Sequence, residues 1–229
     1  MLLLLAALAG WVDALSFTEL GKVFTSFQSG NLIFLGLALD EGNGELLAGA
    51  AVSLAAFVGG TALGAFVVGR AEVDVSAVRS LVPALALECA LLAGFAVCWQ
   101  VLGTPATDSA GRIALVAVGA AAMGVQGGAV FALRIPGVVT NAMTATLMLG
   151  GVLLGLRARS ARAARDATEL SGGMIAGLCG AYAVSALTVS AIGRPALAAA
   201  VPAAALAVSL GALTIGRSAG RRAVASART

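Results

Sequence analysis

The chain of 229 residues contains no histidine, which removes the commonest proton shuttle and metal ligand in proteins. Its three cysteines, Cys89, Cys98 and Cys179, are scattered through apolar stretches without Cys-x-x-Cys spacing. They therefore predict inert core residues and not a metal or redox site. The sequence also lacks a nucleophile paired with a base, a phosphate-binding loop and a dinucleotide fingerprint. We expect neither an enzyme nor a bound metal or cofactor.

Charged residues are also scarce, at 11% of the chain, whereas soluble globular domains contain about 25%. Hydrophobic residues make up 60%. This composition predicts an integral membrane protein in contact with the lipid bilayer. Because the chain must supply its own spans, residues 1–229 are expected to form a single membrane domain.

Basic residues concentrate at positions 157–165 and in a C-terminal tail at 217–229. Lys and Arg accumulate on the cytoplasmic side of membrane proteins. We therefore interpret both clusters as topology signals and expect no nucleic-acid partner. The expected location is the bacterial inner membrane, with a cytoplasmic C-terminus.

Eight apolar segments follow one another, at residues 2–20, 32–39, 46–69, 80–102, 113–133, 138–156, 170–192 and 195–215. About 20 apolar residues cross a bilayer core, so six segments are long enough. Segment 32–39 is short, and 138–156 qualifies only with its polar start. Segment 2–20 lacks the basic leading region of a signal peptide and is expected to be a retained span. The predicted fold is an all-α polytopic transmembrane bundle of six to eight segments, with broken or short helices at the polar motifs.

The most informative stretch is VFTSFQSGNLIFLGLAL at residues 23–39, in which a polar half precedes an apolar half. A similar stretch, VVTNAMTATLML, occupies residues 138–149, with an offset of 115 residues. Both stretches lie among segments apolar enough for lipid, so their polar side chains are at or inside the membrane. Polar groups are expensive there, and two copies favour one site built from both.

Two further similarities keep the same order: residues 10–17 resemble 124–131, and 59–64 resemble 172–177. The sequence therefore predicts two pseudo-symmetric repeats, at about residues 1–103 and 112–216. If all eight segments cross, the repeats are parallel, and nine Lys and Arg lie inside against five outside. If the second and sixth segments enter and return, the repeats are inverted, and the counts become 11 and three. The positive-inside rule favours the inverted arrangement.

Glycines four residues apart occur in three apolar segments, as the pairs Gly60/Gly64, Gly151/Gly155 and Gly173/Gly177. Such pairs let helix backbones approach closely in a membrane. We expect them to serve helix packing and assign them no chemistry.

Asp13 lies within the first apolar segment, where an ionisable group costs about 2.5–3.5 kcal/mol and usually faces a cavity or a partner. It predicts either a group that orients a solute or carries a proton, or a hydrogen-bonded lock between helices. Gln126 lies close to the corresponding place in the second half and is its neutral counterpart. Glu88, within segment 80–102, is a candidate for proton or ion coupling, with a hydrogen-bonded structural role as the alternative.

The polar motifs supply the other candidates for a solute site, namely Gln28, Ser29, Gly30, Asn31, Thr140, Asn141 and Thr144. Gly30 permits an unusual turn, and Ser29 and Asn31 can cap the helix that follows. A helix N-terminus suits an anion or a carbonyl oxygen, and two such starts near the midplane form the sites of secondary transporters. The alternative is a capped helix at the membrane surface with nothing bound.

The stretches GWVDA (residues 10–14), VFTS (23–26) and SGNL (29–32) resemble the YoaK family of bacterial multi-pass membrane proteins. That family usually reads GYVDA and then TGN, and residues 124–126 and 140–146 resemble its second-half pattern. Ser29 stands where Thr is usual and keeps a hydroxyl, whereas Ala145 stands where a second Gly is expected. The resemblance implies small-molecule transport.

We therefore expect a small-solute transporter or channel with a site between the repeats near the bilayer midplane. The alternative is a non-transporting membrane scaffold that binds a partner subunit. Because one protomer offers few helices to close both ends of a pathway, a homodimer is also expected.

Overall fold

The computed structural model describes residues 1–69, 76–102, 109–133, 143–159 and 172–226. All regular secondary structure within these ranges is helical, which confirms the predicted fold class. The helices are α1 (Leu2–Glu19), α2 (Gln28–Glu41), α3 (Gly44–Val68), α4 (Ser76–Leu102), α5 (Ser109–Ala132), α6 (Met143–Arg159), α7 (Gly172–Ile192) and α8 (Pro195–Ser226). Stretches long and apolar enough to span a membrane occur in α1, α3, α4, α5 and α8, and shorter apolar stretches occur in α6 and α7.

Helices α3 and α5 pack through glycines. Each glycine lies against a backbone carbonyl of the other helix: Gly60 against Ala121, Gly64 against Val125, Gly124 against Phe57 and Gly128 against Thr61. Glu45, near the start of α3, also pairs with Arg112, near the start of α5, so the two helices run parallel. Close backbone contact of this kind drives helix association in lipid, where apolar burial gives little. The packing predicted at Gly60/Gly64 is confirmed, whereas no described atom of a neighbouring helix lies within 4 Å of a Cβ built at Gly151 or Gly155, so packing through that pair stays a prediction.

Helices α1 and α7 also run parallel. Gly177 lies beside the Leu3 side chain near one end of α1, and Gly10 lies against the carbonyl of Tyr182 further along both helices. A side chain at Gly10 would collide with that carbonyl. The last residue of α1 and the end of α7 are therefore at the same end of the bundle.

Helix α4 runs antiparallel to α8, which passes beside it. Cys89 donates its Sγ–H to a carbonyl in the middle of α8, and Gln100 donates from Nε2 to the carbonyl of Ala196 at the start of α8 (2.8 Å). Helix α8 then continues through the basic tail as far as Ser226. The start of the tail thus lies at the end of the bundle opposite to Ala196.

Helix α2 does not cross the bundle. Its first residue, Gln28, contacts Ser53 well inside α3, whereas its last turn is joined directly to the start of α3. Gly42 ends α2 in the left-handed conformation (φ 67°), and the side chain of Asn43 accepts a hydrogen bond from the N–H of Leu46 in the first turn of α3. Residues 20–41 therefore enter the bundle and return to the same end.

Three basic residues share that end of the bundle. Lys22 and Arg112 line one cavity of about 150 Å³, in which Arg112 Nη2 pairs with Glu45 Oε2 at 2.6 Å. Arg194 lines a second cavity with Glu19, the last residue of α1. The eight-crossing alternative separates Lys22 from Arg112 and is therefore wrong, whereas the six-crossing count places all three basic residues on one side.

Helix α6 adds no net crossing. Helix α5 starts at the Arg112 end and finishes at the other, where α7 begins because it runs parallel to α1. The helices other than α2 and α6 are α1, α3, α4, α5, α7 and α8, and five of these six, all but α7, contain a stretch long and apolar enough to span a membrane. The members of each predicted pair, α1/α5, α3/α7 and α4/α8, run in opposite directions, as inverted repeats require. The repeat itself stays a prediction.

Candidate functional site

The side chain of Asp13 holds the loop between α1 and α2. Oδ1 accepts hydrogen bonds from the backbone N–H groups of Thr25 and Ser26 (both 2.7 Å) and from the Thr25 hydroxyl (3.0 Å). Oδ2 accepts from the hydroxyls of Ser26 (2.5 Å) and Tyr182 (2.6 Å) and from the N–H of Phe27 (3.1 Å). Asp13 is 2% exposed, and these donors saturate the lone pairs of its two oxygens. The carboxylate therefore fixes this loop to α1 and α7.

The start of α2 differs from the prediction. The helix begins at Gln28, so Ser29 and Asn31 lie inside its first turn, and no side chain caps it. The predicted capping by these two residues is wrong. The N–H groups of residues 25–27, just before the helix, instead bind Asp13. A helix N-terminus favours negative charge, and here a carboxylate from α1 fills that place.

A second network satisfies the backbone of Phe24. Asn31 accepts at Oδ1 from the N–H of Phe24 (3.0 Å) and donates from Nδ2 to its carbonyl (2.7 Å). The hydroxyl of Ser53 on α3 donates to the same carbonyl (2.6 Å), and Gln28 Nε2 donates to that hydroxyl (3.2 Å). Irregular backbone inside a membrane must find its partners within the protein. Gln28, Asn31 and Ser53 supply those partners.

Phenylalanine rings enclose the loop. The Phe24 ring stacks on Phe17 (centroids 4.8 Å apart) and Phe34 (6.0 Å) and meets Phe27 edge to face (5.2 Å). Gly30 fits beneath them, because a Cβ atom there would lie 2.9 Å from both Phe24 and Phe27. The glycine predicted to allow a turn therefore allows close contact with aromatic rings.

The site residues predicted in the first half of the chain lie close together, but they differ in how far they are buried. Asp13 and Asn31 are buried and Gln28 is half-buried in the loop network. Gly30 is buried beside them, and Ser29 is exposed in the first turn of α2. Contact of any of them with a solute stays a prediction.

The two second-half candidates that the structure describes, Gln126 and Thr144, do not join this cluster. Gln126 donates from Nε2 to the carbonyl of Leu5 (3.1 Å), which precedes Asp13 by about 12 Å along α1. Thr144 is exposed in the first turn of α6, which packs against α7. Thr140 and Asn141 lie outside the described residues, so a site built from both motifs stays a prediction.

Two residues that the sequence analysis did not single out complete the loop. Tyr182, the only tyrosine of the chain, connects α7 to Asp13 across 169 positions. Ser53 connects α3 to the loop. Their roles could have been suspected from the sequence, because each is a hydrogen-bonding side chain in an otherwise apolar helix, and such side chains commonly bond to neighbouring helices.

Glu88 on α4 has different surroundings. It is fully buried, and neither carboxyl oxygen has a hydrogen-bond partner in the described part of the chain. Leu85 and Leu92, on the same face of α4, belong to a cluster of buried apolar side chains that includes Met123 of α5 and Leu206 of α8. Glu88 is therefore a bare carboxyl group in an apolar environment.

The chain is similar to proteins of one family. A family model described as "Protein of unknown function (DUF1275)" matches residues 1–212. The UPF0700 transmembrane protein YoaK of Bacillus subtilis (strain 168) is 34% identical over 96 residues, which cover 42% of this chain and 42% of that protein. The match thus spans about two fifths of the length of this relative, and no solved structure matches the chain. Because the family model covers most of the chain and the relative confirms the YoaK resemblance, this multi-pass membrane protein belongs to the DUF1275 family.

Proposed function

We propose that the chain is a small-solute transporter of the bacterial inner membrane. The observation that carries the proposal is the re-entrant segment at residues 20–41, in which a polar loop and the polar first turn of α2 lie among crossing helices. Irregular backbone at membrane depth is tolerated where it is buried in protein or lines a cavity. Interrupted segments of this kind form the binding sites of secondary transporters.

The solute meets Gln28 and Ser29 in this proposal. Asp13 and Asn31 use their hydrogen-bonding groups to hold the loop, whereas Ser29 is exposed and Gln28 is half-buried. A hydroxyl and a carboxamide both donate and accept, which suits a polar solute with groups of both kinds. Thr144, together with Thr140 and Asn141, is the proposed second-half contribution.

Charge supports the proposed orientation. Lys22, Arg112 and Arg194 share one end of the bundle, and α8 carries the basic tail away from that end. The positive-inside rule then places the tail in the cytoplasm and the Lys22 end outside.

A ligand screen followed by an uptake assay tests the proposal. Solutes that bind the folded state raise the Tm of the purified protein, and each hit is then radiolabelled and offered to proteoliposomes. Ser29→Ala should lower uptake. The control is Ser209→Ala, because the Ser209 hydroxyl donates to the Ala205 carbonyl within α8 (2.9 Å). Absence of uptake of every hit contradicts transport, and equal uptake by the two variants contradicts the site.

The second candidate is a non-transporting scaffold, which one observation favours. Asp13 accepts six hydrogen bonds that tie α1 to the loop and to α7, as expected of a helix lock. A scaffold should keep a partner subunit through purification in a fixed ratio and should take up none of the screened solutes. A protein purified without a partner that takes up a solute excludes this candidate.

We also propose a homodimer, because six crossing helices give one protomer little protein to close both ends of a pathway. Light scattering in detergent, corrected for bound detergent, should give twice the 22.3 kDa of the chain. A mass of one chain contradicts the dimer.

A further inference from the structure

Two buried acidic side chains in the described ranges have opposite surroundings. Asp13 accepts six hydrogen bonds, three of them from backbone N–H groups, which can only donate. Glu88 is 0% exposed, and its two oxygens accept none. An ionised carboxylate without partners in an apolar interior is strongly unfavourable. These surroundings therefore favour the protonated form of the Glu88 side chain.

Glu88 lies where α4 meets α5 and α8. Phe95, two turns along α4, lies against Gly119 of the antiparallel α5. Glu88 and Gln126 are each about 10 Å from that contact in the same direction, so they lie at the same level of the two helices. On the other side, the neighbouring Cys89 donates to a carbonyl of α8. The carboxyl group thus lies among crossing helices, far from both ends of the bundle.

A proton is the ligand that these surroundings fit. Hard metal ions take six or more oxygen ligands, and no three His, Cys, Asp or Glu come together in the ranges that the structure covers. The facing helices bring no nearby charge: α5 has no charged residue from Ile113 to Ala132, and α8 has none from Pro195 to Ala212. On α1, Asp13 is tied to its own loop, and on α4 the adjacent titratable group is the Cys89 thiol.

The two helices that meet here each contain a proline within the helix, Pro83 in α4 and Pro202 in α8. A proline removes one backbone hydrogen bond and is a common site of bending. Pro83 precedes Glu88 by less than two turns. The helix that carries the carboxyl group therefore has a bending point beside it.

We propose that Glu88 is a proton-binding site that alternates between a protonated state, buried as in this structure, and an ionised state reached when α4 and α8 separate and water enters. On release, the O–H bond of the carboxylic acid breaks, the proton passes to water and a carboxylate remains. The reverse step precedes reburial. Proton binding stands by itself, and its role as the coupling step of uptake rests on the proposed transport function.

Infrared difference spectroscopy of the purified protein in lipid measures this protonation directly. As pH rises, the wild type should lose the carbonyl stretch of a protonated carboxylic acid, and Glu88→Gln should lack that band throughout. Glu88→Asp keeps a carboxyl group and should keep a titrating band at a shifted position. The matched control, Glu45→Gln, removes an exposed carboxylate and should leave the band unchanged.

The proposal is overturned if the wild-type band persists at every pH, or if Glu88→Gln shows a band of equal size. If Glu88→Gln does not fold, Glu88→Asp decides the assignment. A band at the wild-type position in Glu88→Asp then assigns it to another group and overturns the proposal.

Uptake separates this inference from the proposed function. For a solute found in the screen, wild-type uptake should respond to a pH gradient, and Glu88→Gln should lose that response while still binding the solute. If Glu88 titrates but wild-type uptake does not respond to the pH gradient, the coupling role is overturned. A titrating Glu88 in a protein that takes up no screened solute overturns the proposed function and leaves proton binding standing.

Discussion

Replacing Asp13 by Asn tests whether its carboxylate anchors the loop between α1 and α2. The substitution exchanges one oxygen for an NH₂ group, which cannot accept a hydrogen bond. If NH₂ replaces Oδ2, the hydroxyls of Ser26 and Tyr182 can rotate and accept from it. The N–H of Phe27 can only donate and loses its partner. An unsatisfied buried N–H costs about 1–3 kcal/mol.

The surviving hydrogen bonds also weaken. Those to a charged group contribute about 1.5–3 kcal/mol each, and neutral ones about 0.5–1.5. In lipid the net values are smaller, since hydrogen bonds between helices average about 0.6 kcal/mol. We therefore expect Asp13→Asn to lose about 3 kcal/mol of unfolding free energy, which lowers Tm by roughly 6–12 °C in a chain of this size.

Thermal unfolding in detergent, followed by the loss of the monodisperse peak, measures this change. Tyr182→Phe removes one donor to Asp13 and should cost about 1–2 kcal/mol. In the Asp13→Asn background it should cost less, because the charge-assisted bond is already gone. An unchanged Tm in Asp13→Asn, or strictly additive effects of the two substitutions, would refute the anchoring role.

Three further predictions concern packing and orientation. Gly60→Ala should lower Tm because its methyl group overlaps a carbonyl of α5, whereas Gly59→Ala, which faces open space, should not; equal Tm values contradict the glycine packing. Ser53→Ala removes the donor to a loop carbonyl and should lower Tm by roughly 2–4 °C, and an unchanged Tm argues against the loop network. In a cysteine-free background, Asn43→Cys should react with a membrane-impermeant thiol reagent in intact cells, and Arg217→Cys only after permeabilisation; the reverse pattern inverts the proposed orientation.

Sequence patterns predicted the re-entry of α2 but not its anchoring. The positions of Arg70, Arg79 and Arg134 favoured a segment that enters and returns, because that arrangement moves all three to the inside, where basic residues accumulate. Capping rules consider only neighbours along the chain, and they assigned the start of α2 to Ser29 and Asn31. The group that binds the N–H donors before α2 comes from α1, and one of its partners lies on α7, 169 positions away. Contacts of that separation leave no local signal.

The register of the predicted repeat shows a second limit. Sequence similarity pairs residues 59–64 of α3 with 172–177, an offset of 113. In the structure, Gly124 lies against the carbonyl of Phe57, and Gly10 lies against the carbonyl of Tyr182. If Gly10 and Gly124 are equivalent positions of the two repeats, Phe57 is equivalent to Tyr182, which is an offset of 125. Helices rich in Gly and Ala match each other at several registers, and only packing selects one. The last helices of the two predicted repeats, α4 and α8, are easier to align by sequence, since residues 82–84 and 201–203 both read Val-Pro-Ala.

The sequence left both Asp13 and Glu88 as candidates for proton binding or for a structural role, and their surroundings in the structure distinguish them. Both oxygens of Asp13 accept from backbone N–H groups of the loop, which its side chain holds in place. Glu88 has no bond to lose in the described structure, so only the entry of water separates its protonated form from an ionised one. Carboxyl groups whose surroundings differ in this way take different roles. We therefore propose that the proton function that the sequence offered to both residues belongs to Glu88, and that Asp13 serves to hold the re-entrant loop.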